Sequence, residues 1–420
     1  MQAPASERDI ASDAALESLL EQAPDDYARV ELLVSRARQL QRQQPQQAAV
    51  YAQRALELSQ RSAYPKGIAD AALILGYADY ADENYDRAIE NIEHALTTYQ
   101  KLGDRNEAAR AATALAGSYF KLGRYDKALL HLNTALTLRQ EAGDKKLTAS
   151  VHTNIASTYQ AIGQLDLALD HYLKALELQE AVGDHYGVAI TANNIGSVYY
   201  QLGHYETALH YTEQALSWLT HQGRQDEVLV TLGNLGRIYL KLGRPDDALT
   251  HLSHALHQAH QLGSDYHVAT TIYLIGQAHH HRGDYPTALS HMAMALALFR
   301  RINADSDVLD VLSSIARCYR DSTTPKRSLR YYKQAIEIAR QIQSNLVEAE
   351  LCEEVSCILE QMGHFQTALA FYRRGTELRR KVLAEDTEKL VSVMEIRHRI
   401  ERDAREKEIY RLRNVELANA

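Results

Sequence analysis

The sequence predicts an all-α protein: a right-handed superhelical solenoid of antiparallel helix pairs, followed by a long C-terminal helix. Three observations carry that prediction. Two glycine series recur with one 40-residue period, alanine columns recur with the same period, and the last stretch of chain contains neither Gly nor Pro.

The first glycine series is Gly103, Gly143, Gly183, Gly223 and Gly263, and it separates repeats. Asp104, Asp144 and Asp184 follow its first three members, where an aspartate can cap the next helix. The second series, Gly123, Gly163, Gly203, Gly243 and Gly283, skips position 323, resumes at Gly363, and divides each repeat into two helices. Pro45, Pro245 and Pro325 share one column just past that division, and Pro286 stands one residue later, as suits a first helical turn. At the skipped position Asp321-Ser322-Thr323-Thr324-Pro325 lacks glycine, and Asn303 replaces the preceding inter-repeat glycine. Asparagine tolerates a left-handed backbone, so that turn is expected to survive.

Alanine occupies 48, 88, 128, 168, 208, 248, 288 and 368, with Ser328 in the remaining place. A second column runs from Ala55 through Ala335 and ends at Gly375. A third, small column holds Gly76, Ala116, Ala156, Gly196, Gly236, Gly276, Ala316 and Ser356, preceded from the second member by bulky residues such as Leu115, Ile155 and Ile195. Small residues let paired helices approach, and the bulky neighbours fill the core. One pair cannot bury its apolar faces alone, so stacked pairs are required.

Composition limits the function. Apolar content is 45%, enough for a sizeable core, and the net charge of −8 argues against a nucleic-acid partner. No stretch approaches the ~18 uninterrupted apolar residues of a membrane span, and residues 1–24 do not read as a secretory signal. Cys318, Cys352 and Cys357 show no metal spacing and read as small buried hydrophobes of a reduced, cytoplasmic protein. Neither phosphate-loop, dinucleotide, zinc-protease nor serine-hydrolase motifs occur, so a non-catalytic protein without cofactor is expected.

The run Leu115-Ala116-Tyr119-Ala128-Leu132-Ala135, repeated as Ile195-Gly196-Tyr199-Ala208-Ala215, resembles the tetratricopeptide (TPR) signature. The usual repeat has about 34 residues, so the extra residues here imply longer helices around the inter-repeat turn. The longer form is similar to the arrays of kinesin light chain and LGN-type proteins. Nine helical pairs are expected over residues 25–383, after an N-terminal extension, 1–24, and before a charged C-terminal helix, 384–420.

In such arrays the first helix of each pair lines the concave face. Asn154, Asn194 and Asn234 each precede a buried position, and inner helices lie about 10 Å apart, near three residues of an extended chain at about 3.3 Å each. An amide side chain both donates and accepts, matching a peptide backbone. Asparagine ladders of this kind hold peptides in the kinesin light chain and LGN-type arrays, so the resemblance makes these three the preferred contacts. The position three residues further on reads Ser157, Ser197, Arg237, Gln277 and Arg317, with Phe120, Tyr200 and Tyr273 as anchoring surface. The alternative is that the asparagines are solvated or bind neighbouring helices.

Histidines invite a metal reading at His251, His254, His257 and His260, and at His279 to His281. However, His251 shares a column with His131, His171, Tyr211, His291, Tyr331 and Phe371, and His279 replaces Tyr119, Tyr159, Tyr199 and Tyr239. A flat, semi-polar packing residue explains both columns, so no metal site is expected.

Past Leu383 the chain is dense in charge, with apolar points at Leu390, Val393, Ile400, Ile409, Leu412 and Val415. Heptad spacing interrupted by Arg397 and Lys407 is consistent with a short coiled coil and a homodimer, or with a solvated single helix. Residues Glu395-Ile396-Arg397-His398 and Glu408 to Leu417 resemble the linker helix of bacterial tetratricopeptide sensors that precede GGDEF cyclases. No output domain is read in this sequence. The reading is a bacterial signalling scaffold or sensor that binds a protein or peptide in its groove. The alternatives are the sensory, dimerising half of a diguanylate cyclase or other signalling enzyme, and a quorum-peptide receptor resembling the Rap type.

Overall fold

The computed structural model describes residues 13–419, in which 19 α-helices occur and no strand. The chain forms two compact units, one comprising the residues up to Val182 together with Lys389 onward, the other Gly183–Glu388.

The first unit contains α1 (Asp13–Gln22), α2 (Asp26–Leu40), α3 (Pro45–Arg61), α4 (Pro65–Ala81), α5 (Tyr85–Leu102), α6 (Arg105–Lys121), α7 (Tyr125–Glu141), α8 (Lys145–Ala161) and α9 (Leu165–Ala181). The second contains α10 (His185–Gln201), α11 (Tyr205–His221), α12 (Gln225–Lys241), α13 (Pro245–Gln261), α14 (Asp265–His281), α15 (Tyr285–Arg301), α16 (Asp305–Asp321), α17 (Pro325–Gln341) and α18 (Asn345–Gln361). The last helix, α19 (Phe365–Asn419), passes position 383 without a break.

Local chemistry sets these boundaries. Asp104, Asp144 and Asp184 accept the backbone N–H three residues on, from Glu107, Leu147 and Gly187. Pro45, Pro245 and Pro325 open their helices, where the missing N–H costs nothing. The turn glycines take left-handed φ, from 65° to 81°. Where glycine is absent the same conformation persists: Asn303 has φ 55° and Thr323 φ 59°. The extra residues lengthen the helices, and α6 through α18 each span 17 residues.

The small column is a steric requirement. A Cβ on Gly196 would stand 2.3 Å from Thr212 Oγ1, and one on Gly236 2.7 Å from a Leu252 methyl. The aromatic columns are ring stacks: Tyr119 on His131 at 5.5 Å, Tyr239 on His251 at 5.3 Å, and His279 on His291 at 5.4 Å. Packing therefore accounts for those histidines. Cys318 and Cys352 are buried, but Cys357 is exposed, which corrects the expectation for that residue.

In the first unit Asp70 is fully buried and holds three partners: Arg38 at 2.6 Å, Lys66 at 2.9 Å and the Tyr99 hydroxyl at 2.6 Å. Burial, then the Asp70 charge, pushes the Tyr99 hydroxyl well above its ordinary pKa. The heptad-spaced tail residues of this unit are turned inward: Val393 is buried, and Leu390 and Ile400 are half-buried. Ile400, Arg397 and Glu401 line a hollow of about 270 Å³ together with Leu129, Leu136, Tyr159 and His171. The side chains of Leu412 and Val415, and residues 1–12, lie outside the described residues. No described helix is long and apolar enough to cross a membrane.

Candidate functional site

The first helices of the second unit bring together most of the residues expected to bind. Ser197 and Tyr200 come from α10, and Asn234 and Arg237 from α12. With Gln201 and Ile238 they line a pocket of about 190 Å³. Tyr200 and Arg237 also line a second pocket of about 330 Å³, completed by Leu240, Lys241, Gln277, His280, His281, Ser314 and Arg317. The two shared residues join the pockets into one trough crossing α10, α12, α14 and α16.

Hydrogen bonds hold its lining residues. Tyr273, which lines neither pocket, shares a hydrogen bond with Ser314 Oγ at 2.7 Å and accepts one from Gln277 Nε2 at 2.8 Å. Arg317 donates to Ser314 at 3.2 Å. Asn234 donates to Asn193 Oδ1 at 3.2 Å, so part of its amide is committed to the neighbouring first helix. Asn194 is half-buried beside it and lines neither pocket.

Charge in the second unit is unevenly paired. Outside the trough, Arg224, Arg244 and Arg301 each pair with an acid: Glu227, Asp247 and Asp265 respectively. Arg237 and Lys241 make no ion pair among the described residues, although both line the second pocket. His280 reaches Asp321 at 2.9 Å. Burial lowers the His281 pKa, and the adjoining His280 and Lys241 lower it further. Near the start of α16, burial raises the Asp310 pKa, reinforced by Asp307 and opposed by Arg317 and Arg237. Amide, hydroxyl and cationic side chains thus alternate along the trough, with Arg237 shared by both pockets and facing the field of Asp307 and Asp310.

The remaining expected residues belong to the first unit. Asn154 is exposed on α8. Ser157 is occupied, donating to the Thr153 carbonyl at 3.0 Å and contacting the Tyr172 hydroxyl at 2.9 Å. Phe120 packs edge-on against Tyr125 at 5.5 Å. Sequence reasoning missed Lys241, His280, His281 and Ser314 as pocket residues. Their signal was positional: the first three stand one or two residues past the Tyr239 and His279 column.

The tetratricopeptide repeat family pattern matches residues 67–141, 147–218, 227–301 and 267–341, and a second pattern of that description matches 349–382. No curated protein sequence matches the chain. Among solved structures, the apo quorum sensor NprR from B. thuringiensis is 17% identical, with a TM-score of 0.63 over 77% of this chain and 91% of that one. Aspartyl phosphate phosphatase F from Bacillus subtilis is 14% identical, with a TM-score of 0.55 over 90% and 96%. The Rap conjugation gene regulator of plasmid pLS20, in complex with the Phr* peptide, is 18% identical, with a TM-score of 0.53 over 80% and 92%. These likenesses concern the fold. With most of its length matched by the repeat pattern, the chain belongs to the tetratricopeptide repeat family.

Proposed function

We propose that this protein is a non-catalytic scaffold or sensor of bacterial cytoplasmic signalling that binds an extended polypeptide carrying a carboxylate along the trough of the second unit. The observation that carries this reading is the pair Arg237 and Lys241, which line a pocket of about 330 Å³ and form no ion pair among the described residues, Asp307 and Asp310 acting on Arg237 only at longer range. A carboxylate there gains charge-assisted hydrogen bonds, and Arg317 supplies a third cation. Asn234 and Gln277 offer amides to the peptide backbone. That the Rap regulator was solved with a peptide supports a peptide as the guest.

A peptide array probed with the purified chain tests it. Sequences with Asp, Glu or a free C-terminal carboxylate should be selected, and Arg237→Glu with Lys241→Glu should abolish that selection. Selection of basic or uncharged sequences, or no effect of the substitutions, removes the reading.

A further inference from the structure

Along α19 one face is packed and another is bare. Ala368, Gly375 and Leu378 are buried against the chain. About a third of a turn away, Phe365 is 67% exposed, Leu369 48%, Tyr372 56% and Leu383 67%. These residues, with Thr376, recur at helical spacing and form one stripe. The equivalents of Tyr372 in the same unit are covered: Tyr332 is 1% exposed, and Met292 and Leu252 are fully buried. The Tyr332 hydroxyl reaches Glu354 of α18, the next first helix. At Tyr372 no such helix arrives among the described residues, because α19 runs on instead of turning. The stripe has the chemistry of a surface that another helix covers.

We propose that the occupant is α19 of a second copy, packed antiparallel about a two-fold axis at Arg374. Four of the stripe's five members are symmetric about that point: Tyr372 faces Thr376 and Phe365 faces Leu383, and each of these two contacts forms twice, while Leu369 falls opposite Arg379, whose guanidinium is held by Glu353. The flanking charges agree with this pairing. Arg373 of each copy lies beside Glu377 of the other, and Arg373 makes no ion pair among the described residues. Among the described residues Glu377 pairs with Arg374 at 3.5 Å, with its side chain 74% exposed. Arg374 itself turns back to Glu348 at 3.2 Å and keeps clear of the interface. A helix of unrelated sequence would match the apolar stripe but not this reciprocal charge register. The surface is independent of the peptide trough and of the Leu390, Val393 and Ile400 seam.

Sedimentation velocity on the full chain over a concentration series, with helicity checked by circular dichroism, tests the proposal. A monomer–dimer equilibrium is expected. Tyr372→Glu with Leu383→Glu should give monomer. Arg373→Glu or Glu377→Arg alone should weaken the dimer about tenfold, and the two together should restore it. A monomer at every concentration, a dimer indifferent to Tyr372→Glu with Leu383→Glu, or a charge swap that fails to restore association overturns it.

Discussion

Asn234 donates its side-chain amide to Asn193 across 3.2 Å, linking the first helices of two successive repeats. One proton and the carbonyl of that amide lie outside that bond. Replacing Asn154, Asn194 and Asn234 together by Ala should lower affinity for a selected acidic peptide about tenfold or more, with helicity unchanged. Fluorescence anisotropy and circular dichroism provide the two readouts. Unaltered affinity would exclude the asparagines from the contact surface.

Asp70 supports a buried cluster rather than a ligand. Asp70→Ala removes the one carboxylate shared by Arg38, Lys66 and Tyr99, leaving the buried Tyr99 hydroxyl without its acceptor and the two cations with their longer contacts to Glu107 at 3.4 Å and Glu31 at 3.6 Å. The expected cost is about 3 kcal/mol, measured by urea denaturation. A loss below about 1 kcal/mol would mean that water takes over the role of the carboxylate.

His152 and His171 meet through their Nδ1 atoms at 3.0 Å. Burial, then His152 and Lys174, against the opposing pull of Asp170, lowers the His171 pKa to about 4. Burial, then Lys174, also lowers that of His152. The unfolded chain therefore binds protons before the folded one does. Stability present at neutral pH should fall as pH drops from the ordinary histidine range toward about 4. Discounted for solvent, the loss between pH 7 and 5 is about 1 kcal/mol. His171→Phe, which borrows the residue at position 371 of this column, should flatten the dependence in thermal denaturation. An equally steep profile in that variant would locate the titration elsewhere.

Gly196→Ala forces a methyl to within 2.3 Å of Thr212 Oγ1 and 3.1 Å of the Ala208 carbonyl oxygen. A destabilisation of about 1–3 kcal/mol is expected. Pairing it with Thr212→Ala should recover part of this. Additive losses in the double mutant would show that the backbone contact, not the hydroxyl, sets the limit.

Thr323 holds φ 59°, a conformation poorly suited to a β-branched residue. Thr323→Gly should stabilise the protein by about 1 kcal/mol. A loss instead would indicate that the rigidity of Thr323 outweighs its strain.

The period, the caps and the close-approach column were legible in the sequence because backbone sterics impose them wherever the unit recurs. Gly196 and Ala116 answer the same geometric demand, and Asp104 and Asp184 the same unpaired N–H groups. The trough was legible only in part. Arg237, Gln277 and Arg317 were found because they share a column. Lys241 and His280 were missed because residue type changes freely at exposed and half-buried positions beside the core stripe, where no steric rule repeats. The inward turn of Val393 was hidden as well, since heptad spacing is identical whether the partner helix belongs to the same chain or to another. Cys357 escaped because its neighbours are buried and one helical step separates the two outcomes.

Each left-handed turn closes on itself: the residue after Gly243 already caps α13 through its own carbonyl, and the residue after Gly203 does the same for α11. Any stretch cut at matching points of two such turns leaves a junction identical to the original. Tandem duplication or loss of whole 40-residue cassettes thus lengthens or shortens this protein without any new loop having to be invented.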